Sequence, residues 1–338
     1  MNTGSHYKLY HFIPWTRTKI YKMLILSIVP TMLFYFLGWK WLAIPWVPVA
    51  LLGTATAFIS GFKNTQTYNR SWEARQIYGA IINNSRSFGI LVKDFIRTDD
   101  KVKESALHQQ IIYRHFAWLT VLRFQLRETK SWEHIKTKSY NKEYLQYYNV
   151  PEWETKVEDE LKLFLSDNEL QYVLSTKNRA TQIIALQSAQ LRKLNEEGKI
   201  SDYNYTALEN QFKELYDQQG KCERIKNFPY PRQFSSINLY FTNALCFLLP
   251  LGFLGEFSKM TEKFGDNIIW LTVPFSVLLG WVFLVLELIG ESTENPFEGN
   301  ANDIPITQIS RNIEIDLREM LGEKELPPAI QPVNNIVM

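Results

Sequence analysis

The chain has 338 residues, of which 46% are hydrophobic and 21% charged, and its formal net charge at pH 7 is +2. A net charge this small argues against nucleic acid as a partner. The two cysteines, Cys222 and Cys246, are too few for a disulfide framework, and Cys246 lies inside an apolar run.

Four apolar runs predict membrane-spanning helices at about 22–38, 42–62, 235–255 and 267–289. Each has about the twenty residues that a helix needs to cross a hydrocarbon core of roughly 30 Å. The first run is too long for the apolar core of a signal peptide, and no small-residue cleavage site follows it. We therefore expect no removed signal peptide.

Lysine and arginine are concentrated where the spans join the long polar middle of the chain. The loop after the first span holds only Lys40. The ends that face the polar middle carry Lys19, Lys22, Lys63, Arg70, Arg224, Lys226 and Arg232. Because positive loops stay in the cytoplasm, both termini and the polar middle are expected there.

The polar middle is predicted to be helical. Between Pro48 and Pro229 the only proline is Pro151, and glycine is sparse. We expect helices at about 66–97, 102–128, 157–165, 168–174, 178–197 and 201–218, with the second span running on into the first of them. Gly198 and Gly220 are placed to end the last two helices.

After the fourth span, Asn295-Pro296-Phe297 is expected to break the helix, and 304–321 to form an amphipathic helix. The tail holds three prolines and is expected to be extended, either on a neighbour or disordered. The chain thus divides into 1–62 with two spans, a cytosolic helical module at 63–228, two further spans at 229–290, a C-terminal helical segment at 291–325 and the tail at 326–338.

A stripe on the second span carries the main functional hypothesis. Thr54, Phe58 and Phe62 recur every four residues and so share one helix face. A stripe of small residues lies beside it: Gly53, Ala57 and Gly61. Small residues let membrane helices approach closely. In a symmetric oligomer the phenyl stripe would form stacked rings, which can gate a pore by dewetting, and their electropositive edges would favour anions. The alternative is ordinary packing against another span.

Other polar residues have structural interpretations. His108 and His115 lie two helical turns apart, too far to chelate one ion, so no metal site and no cofactor are expected. Glu287, near the end of the fourth span, is expected to make a helix-end contact or to face a vestibule. The charged residues at 70–75 are expected to form an inter-helix network. No catalytic motif is found, so the chain is not expected to be an enzyme.

Several blocks resemble the bestrophin family, in particular its bacterial branch. The first is GFKNTQTYNRSWEARQIYG at 61–79, followed by NNSRSF. The others are KCERIKNFPYP at 221–231, ENPFEGNANDIP at 294–305 and RNIEIDLREM at 311–320. They lie in the expected order, and the resemblance covers most of the chain outside 125–175 and the tail.

The resemblance implies an all-α homopentamer in a bacterial inner membrane, each protomer with four transmembrane helices, that passes inorganic ions along a central axis. It places a narrow neck at Thr54, Phe58 and Phe62, and a cytosolic aperture at Ile183 or Ile184. The family motif corresponds to Arg70, Trp72, Glu73, Asn295, Pro296 and Phe297. The family's neck rings are apolar, whereas Thr54 is polar.

Ion choice and calcium dependence follow less directly from the resemblance. Animal members bind calcium with an acidic cluster after the Asn-Pro-Phe motif, but the run here, EGNAND at 298–303, has few acids, and oxygen-only calcium sites need several. We therefore do not expect calcium gating. The two phenyl rings favour chloride and other monovalent anions. A sodium or other monovalent cation channel, and a non-conducting membrane scaffold for a cytosolic partner, are the alternatives.

Overall fold

The computed structural model describes residues 1–4, 6, 7 and 9–338. Within this part of the chain the structure is helical, and β-structure is limited to two isolated bridges, Asn2 with Ile336 and Val333 with Ile336. The α-helices are α1 Leu9–Leu37, α2 Trp46–Phe95, α3 Lys101–Arg127, α4 Ser139–Tyr144, α5 Pro151–Glu154, α6 Val157–Leu161, α7 Asp167–Ser175, α8 Arg179–Glu196, α9 Asp202–Asn227, α10 Arg232–Ser258, α11 Thr261–Phe264, α12 Thr272–Glu294 and α13 Ile306–Met320.

Four helical stretches are long and apolar enough to cross a membrane, as predicted: Phe12–Leu37, Lys40–Phe95, Arg232–Ser258 and Asp266–Glu294. The expectation that the second span continues into the polar middle is confirmed, because α2 is one helix of 50 residues. Such a helix is about 75 Å long, more than twice the hydrocarbon thickness. One rigid element therefore belongs to both the apolar and the polar half of the protein.

The apolar half is a bundle of α1, α2, α10 and α12, in which a glycine of α10 allows close contact with the segment before α2. A Cβ atom at Gly255 of α10 would lie 2.2 Å from the backbone oxygen of Ile44, so only glycine lets the two backbones approach this closely. The second half of α2 packs on α9 and α13. Together with α3 and α8, these helices enclose the main hydrophobic core, which includes the buried side chains of Phe88, Trp118 and Leu317.

Two expectations about helix ends have different outcomes. Gly198 follows the end of α8 with φ +70°, as the C-terminal glycine signal predicts. Gly220 does not end a helix, because α9 continues to Asn227. The residues after Gly220, among them Cys222 and Ile225, are buried in the core. Their burial outweighs the cost of glycine in a helix, about 1 kcal/mol.

The end of the chain agrees with the expectation in its secondary structure. The helix after the fourth span stops at Glu294, where Asn295-Pro296-Phe297 follows, as predicted. The tail contains no helix, as expected; residues 331–335 are exposed, and the last three residues pack on their own chain. Ile336 and Met338 are buried, and the Met338 backbone oxygen accepts a hydrogen bond of 2.7 Å from Gln308 N at the start of α13.

Candidate functional site

The predicted stripe lies on the uncovered face of α2. Phe58 is 78% exposed and Phe62 45% exposed, and Thr54 is exposed as well. The opposite face is covered, since Ser60 and Lys63 are 0% and 1% exposed. Within one protomer, α2 thus presents its phenyl stripe outward and packs its polar stripe against the bundle.

A buried polar network joins the covered face of α2 to the neighbouring helices, at the height of Phe58 and Phe62 along α2. Lys63 Nζ lies 2.8 Å from a carboxylate oxygen of Glu287 and 3.8 Å from one of Glu294, both on α12. Ser60 donates a hydrogen bond of 2.7 Å to Asn238 Oδ1 on α10. The Asn238 amide in turn donates to Glu287. The network therefore joins α2, α10 and α12 directly behind Phe58 and Phe62.

Glu287 has a structural role in this network. Of the two interpretations from the sequence, a helix-end contact and a vestibule role, its buried carboxylate fits the first, with the partners Lys63 and Asn238 in place of an arginine or a backbone amide. Sequence reasoning assigned Lys63 only to the cytoplasmic end of the span. Lys63 follows Phe62 directly and lies on the opposite face of the helix from the phenyl stripe. That position could have indicated that its side chain points into the bundle.

Most of the charged residues at 70–75 form inter-helix contacts, as expected. Arg70 Nη2 donates to the backbone oxygens of Ile225, at 2.5 Å, and Phe228. Glu73 forms an ion pair with Arg224. These contacts tie α2 to the end of α9. Trp72 instead is 48% exposed and stacks on Tyr68 with ring centroids 6.4 Å apart.

The Asn295-Pro296-Phe297 segment forms a tight turn. Phe297 has φ +71°, which is unusual for a non-glycine residue, and its ring is fully buried 5.7 Å from that of Tyr78. The Asp303 carboxylate accepts from Phe297 N at 2.9 Å and Gly299 N at 2.8 Å, and lies 2.6 Å from an Arg127 nitrogen. Asp303 thus stabilises the turn.

The described residues include no group of three or more His, Cys, Asp and Glu side chains that could hold a metal ion. His108 Nε2 lies 2.7 Å from Ile96 O, and His115 Nε2 2.8 Å from Ser85 Oγ, so each ring has its own partner. Burial lowers the pKa of His115 to about 3. Both rings are therefore interpreted as parts of the core.

The two candidates for the aperture differ in burial. Ile183 is fully buried in the main hydrophobic core. Ile184 is only partly buried. Which of the two would line an aperture stays a prediction.

Four apolar helices joined to a helical polar module define a multi-span membrane protein. The sequence profile of the family described as Bacterial/Fungal Bestrophin protein matches residues 13–319. The chain belongs to this family.

Relatives of known name agree with this assignment. The voltage-dependent anion channel-forming protein YneE of Salmonella typhi is 29% identical over 281 residues, which cover 83% of this chain and 78% of the relative. The protein of the same name from Escherichia coli K12 is 29% identical over 286 residues, with coverages of 84% and 80%. A crystal structure of a bacterial bestrophin homologue from Klebsiella pneumoniae has the same fold, with a TM-score of 0.74 at 23% identity and coverages of 91% and 99%.

Proposed function

We propose that this chain forms a homopentameric channel of the bacterial inner membrane that conducts chloride and other monovalent anions, with both termini and the polar module in the cytoplasm. The family and the names of the relatives point to a channel and not to an enzyme. The observation that carries the proposal is the uncovered phenyl stripe on α2, since Phe58 is 78% exposed on a helix whose other face is buried.

An exposed phenyl stripe needs a partner surface. Five copies arranged with α2 towards a common axis would turn Thr54, Phe58 and Phe62 into three successive rings. The small residues Gly53 and Ala57 beside the stripe would let neighbouring α2 helices approach closely. The narrow neck formed in this way would gate by dewetting, because a constriction lined by phenyl rings excludes water unless it widens.

The chemistry of the neck favours anions. Residues 46–72 contain neither aspartate nor glutamate, so no fixed negative charge lies along the neck. The edges of phenyl rings are electropositive and would face a passing ion. The Lys63 charge is compensated by Glu287 behind the helix. Selectivity would therefore rest on ring edges and on dehydration of the ion, with passive permeation as the mechanism.

Replacement of Phe58 tests the neck. Phe58→Ala is expected to raise single-channel conductance and to weaken the discrimination between anions and cations, because the ring at this level is removed. The matched control is Phe36→Ala, a phenyl ring on α1 that is 65% exposed and lies outside α2. Equal currents in Phe58→Ala and the unmodified protein would remove Phe58 from the neck.

The assembly itself is tested by native mass spectrometry of the detergent-solubilised protein. Five copies are expected. A monomer or dimer that carries no current would instead favour the scaffold alternative, which requires neither fivefold symmetry nor a phenyl-lined axis.

A further inference from the structure

A cavity of about 400 Å³ lies where the ends of the spans meet the polar module. It is bounded by the start of α1, by α2 beyond the proposed neck, by the segment 135–148 that contains α4, by the end of α12 and by the residues that follow α12. A volume of this size is typical of sites for drug-sized ligands. The lining includes Phe12 at the start of the first candidate span and Thr293 at the end of the fourth, and aromatic residues at span ends are typical of the membrane–water interface.

The wall of the cavity is largely aromatic. Seven of the lining side chains are Tyr, Phe or Trp, including Trp15, Tyr68 and Trp72. The rings of Tyr68 and Trp72 are stacked with an interplanar angle of 12°, so they present a continuous flat surface. In the single chain Tyr68 is 54% exposed and Trp72 48% exposed. Such a wall suits an apolar chain or ring.

The polar groups of the cavity favour a ligand with a negative charge. Arg75 lines it, is exposed, and has neither a hydrogen bond nor an ion pair within the described part of the chain. The neighbouring acid, Glu73, is already paired with Arg224. A free guanidinium beside an aromatic wall provides bidentate hydrogen bonding for a carboxylate, sulfate or phosphate.

Among the described residues that line the cavity the acid is Glu298, and it does not oppose an anion. Glu298 is 2% exposed, and its two oxygens already accept from His134 N and from the Asn300 amide, each at 3.1 Å. Burial raises the pKa of Glu298 to about 8, so this carboxyl is mostly neutral at pH 7. A cationic ligand would therefore meet the charge of Arg75 without a compensating carboxylate.

We propose that this cavity binds an anionic amphiphile from the bilayer, with its single acidic head group on the Arg75 guanidinium and its apolar chain along Trp15, Tyr68 and Trp72. The free fatty acids of the membrane have this chemistry. Because the cavity and the stripe of Phe58 and Phe62 share α2, a bound amphiphile is placed to alter the neck, and this consequence rests on the proposed function. Binding itself does not depend on conduction.

Quenching of tryptophan fluorescence tests the proposal on the full chain in phosphatidylcholine nanodiscs. The probe is 12-bromododecanoate, compared with the alcohol and the trimethylammonium compound of the same chain length. Saturable quenching by the carboxylate alone is expected. Arg75→Gln should weaken it about tenfold through loss of a charge-assisted contact, whereas Arg192→Gln, an exposed arginine on α8, should leave it unchanged.

A second variant locates the site. Trp72→Phe keeps the aromatic wall but removes one reporter, so it should reduce the amplitude of quenching and leave the affinity within about twofold. Equal, non-saturating quenching by all three head groups, or unchanged affinity in Arg75→Gln, would show partition into the bilayer only and overturn the proposal. Displacement of the probe by equimolar water-soluble 4-phenylbutanoate would contradict the bilayer as the source of the ligand.

Discussion

Removal of the Glu287 carboxylate is expected to destabilise the bundle strongly. In Glu287→Leu, Lys63 loses the partner that lies 2.8 Å away and stays in a site where its side chain is 2% exposed. Breaking a buried ion pair on one side costs about 3–5 kcal/mol. Glu294, 3.8 Å from Lys63 Nζ, partly compensates the charge, which places the expected loss near the lower end, about 3 kcal/mol.

The double variant separates the charge from the packing. Lys63→Met with Glu287→Leu removes both charges and leaves mainly the Asn238 amide without its acceptor, a cost of about 1–2 kcal/mol. The double variant should therefore be more stable than Glu287→Leu alone. An exposed pair at nearly the same distance, Lys259 with Glu256 at 2.7 Å, serves as the control. Glu256→Leu is expected to cost less than about 1 kcal/mol.

Reversible denaturant titration in detergent micelles measures these free energies. A double-mutant cycle then gives the coupling between Lys63 and Glu287 directly. A loss in Glu287→Leu no larger than that in Glu256→Leu would refute the reasoning, because burial of the pair would then carry no energetic consequence. A double variant less stable than either single variant would refute it as well.

The remaining predictions concern the turn, the bundle and the cysteines. The pKa of Glu298 in the folded protein, about 8, exceeds the ordinary value of 4.5, because burial disfavours the charged carboxylate. The free energy of unfolding should therefore fall as pH rises from 4.5 to 8. Glu298→Gln should flatten that pH profile in denaturant titrations. Gly255→Ala should cost at least about 1–3 kcal/mol, because its Cβ would meet the backbone of Ile44, whereas Gly79→Ala, with open space around it, should not destabilise α2. A water-soluble maleimide should modify Cys222 only after unfolding, because burial raises the pKa of its thiol; rapid labelling of the native protein would contradict this.

Sequence patterns were sufficient for the elements whose signal is local. The length of the apolar runs identified the four spans, and the lack of proline and the scarcity of glycine between the second span and residue 97 indicated one continuous helix. The end of the fourth span's helix at Asn295-Pro296-Phe297 could also be predicted, because proline is a local helix-breaking signal. Gly220 was misleading because helix propensity is weaker than the burial of Cys222 and Ile225 that follow it.

Contacts between distant segments could not be derived from the sequence. Lys63 and Glu287 are separated by 224 residues, and their pairing depends on how α2 and α12 cross. The position of the tail also depends on contacts between distant segments. The residues next to Ile336 and Met338 in the sequence do not indicate which surface covers these two side chains. The resemblance to the family also left Ile183 and Ile184 open, and the packing of α8 gives these two side chains different burial.

The most direct test of an anion-conducting channel is the reversal potential of the purified protein in a planar bilayer under a potassium chloride gradient. The account predicts a current that reverses close to the chloride equilibrium potential, because the proposed neck would carry phenyl rings and no acidic side chain. A reversal close to the potassium equilibrium potential would contradict the anion preference.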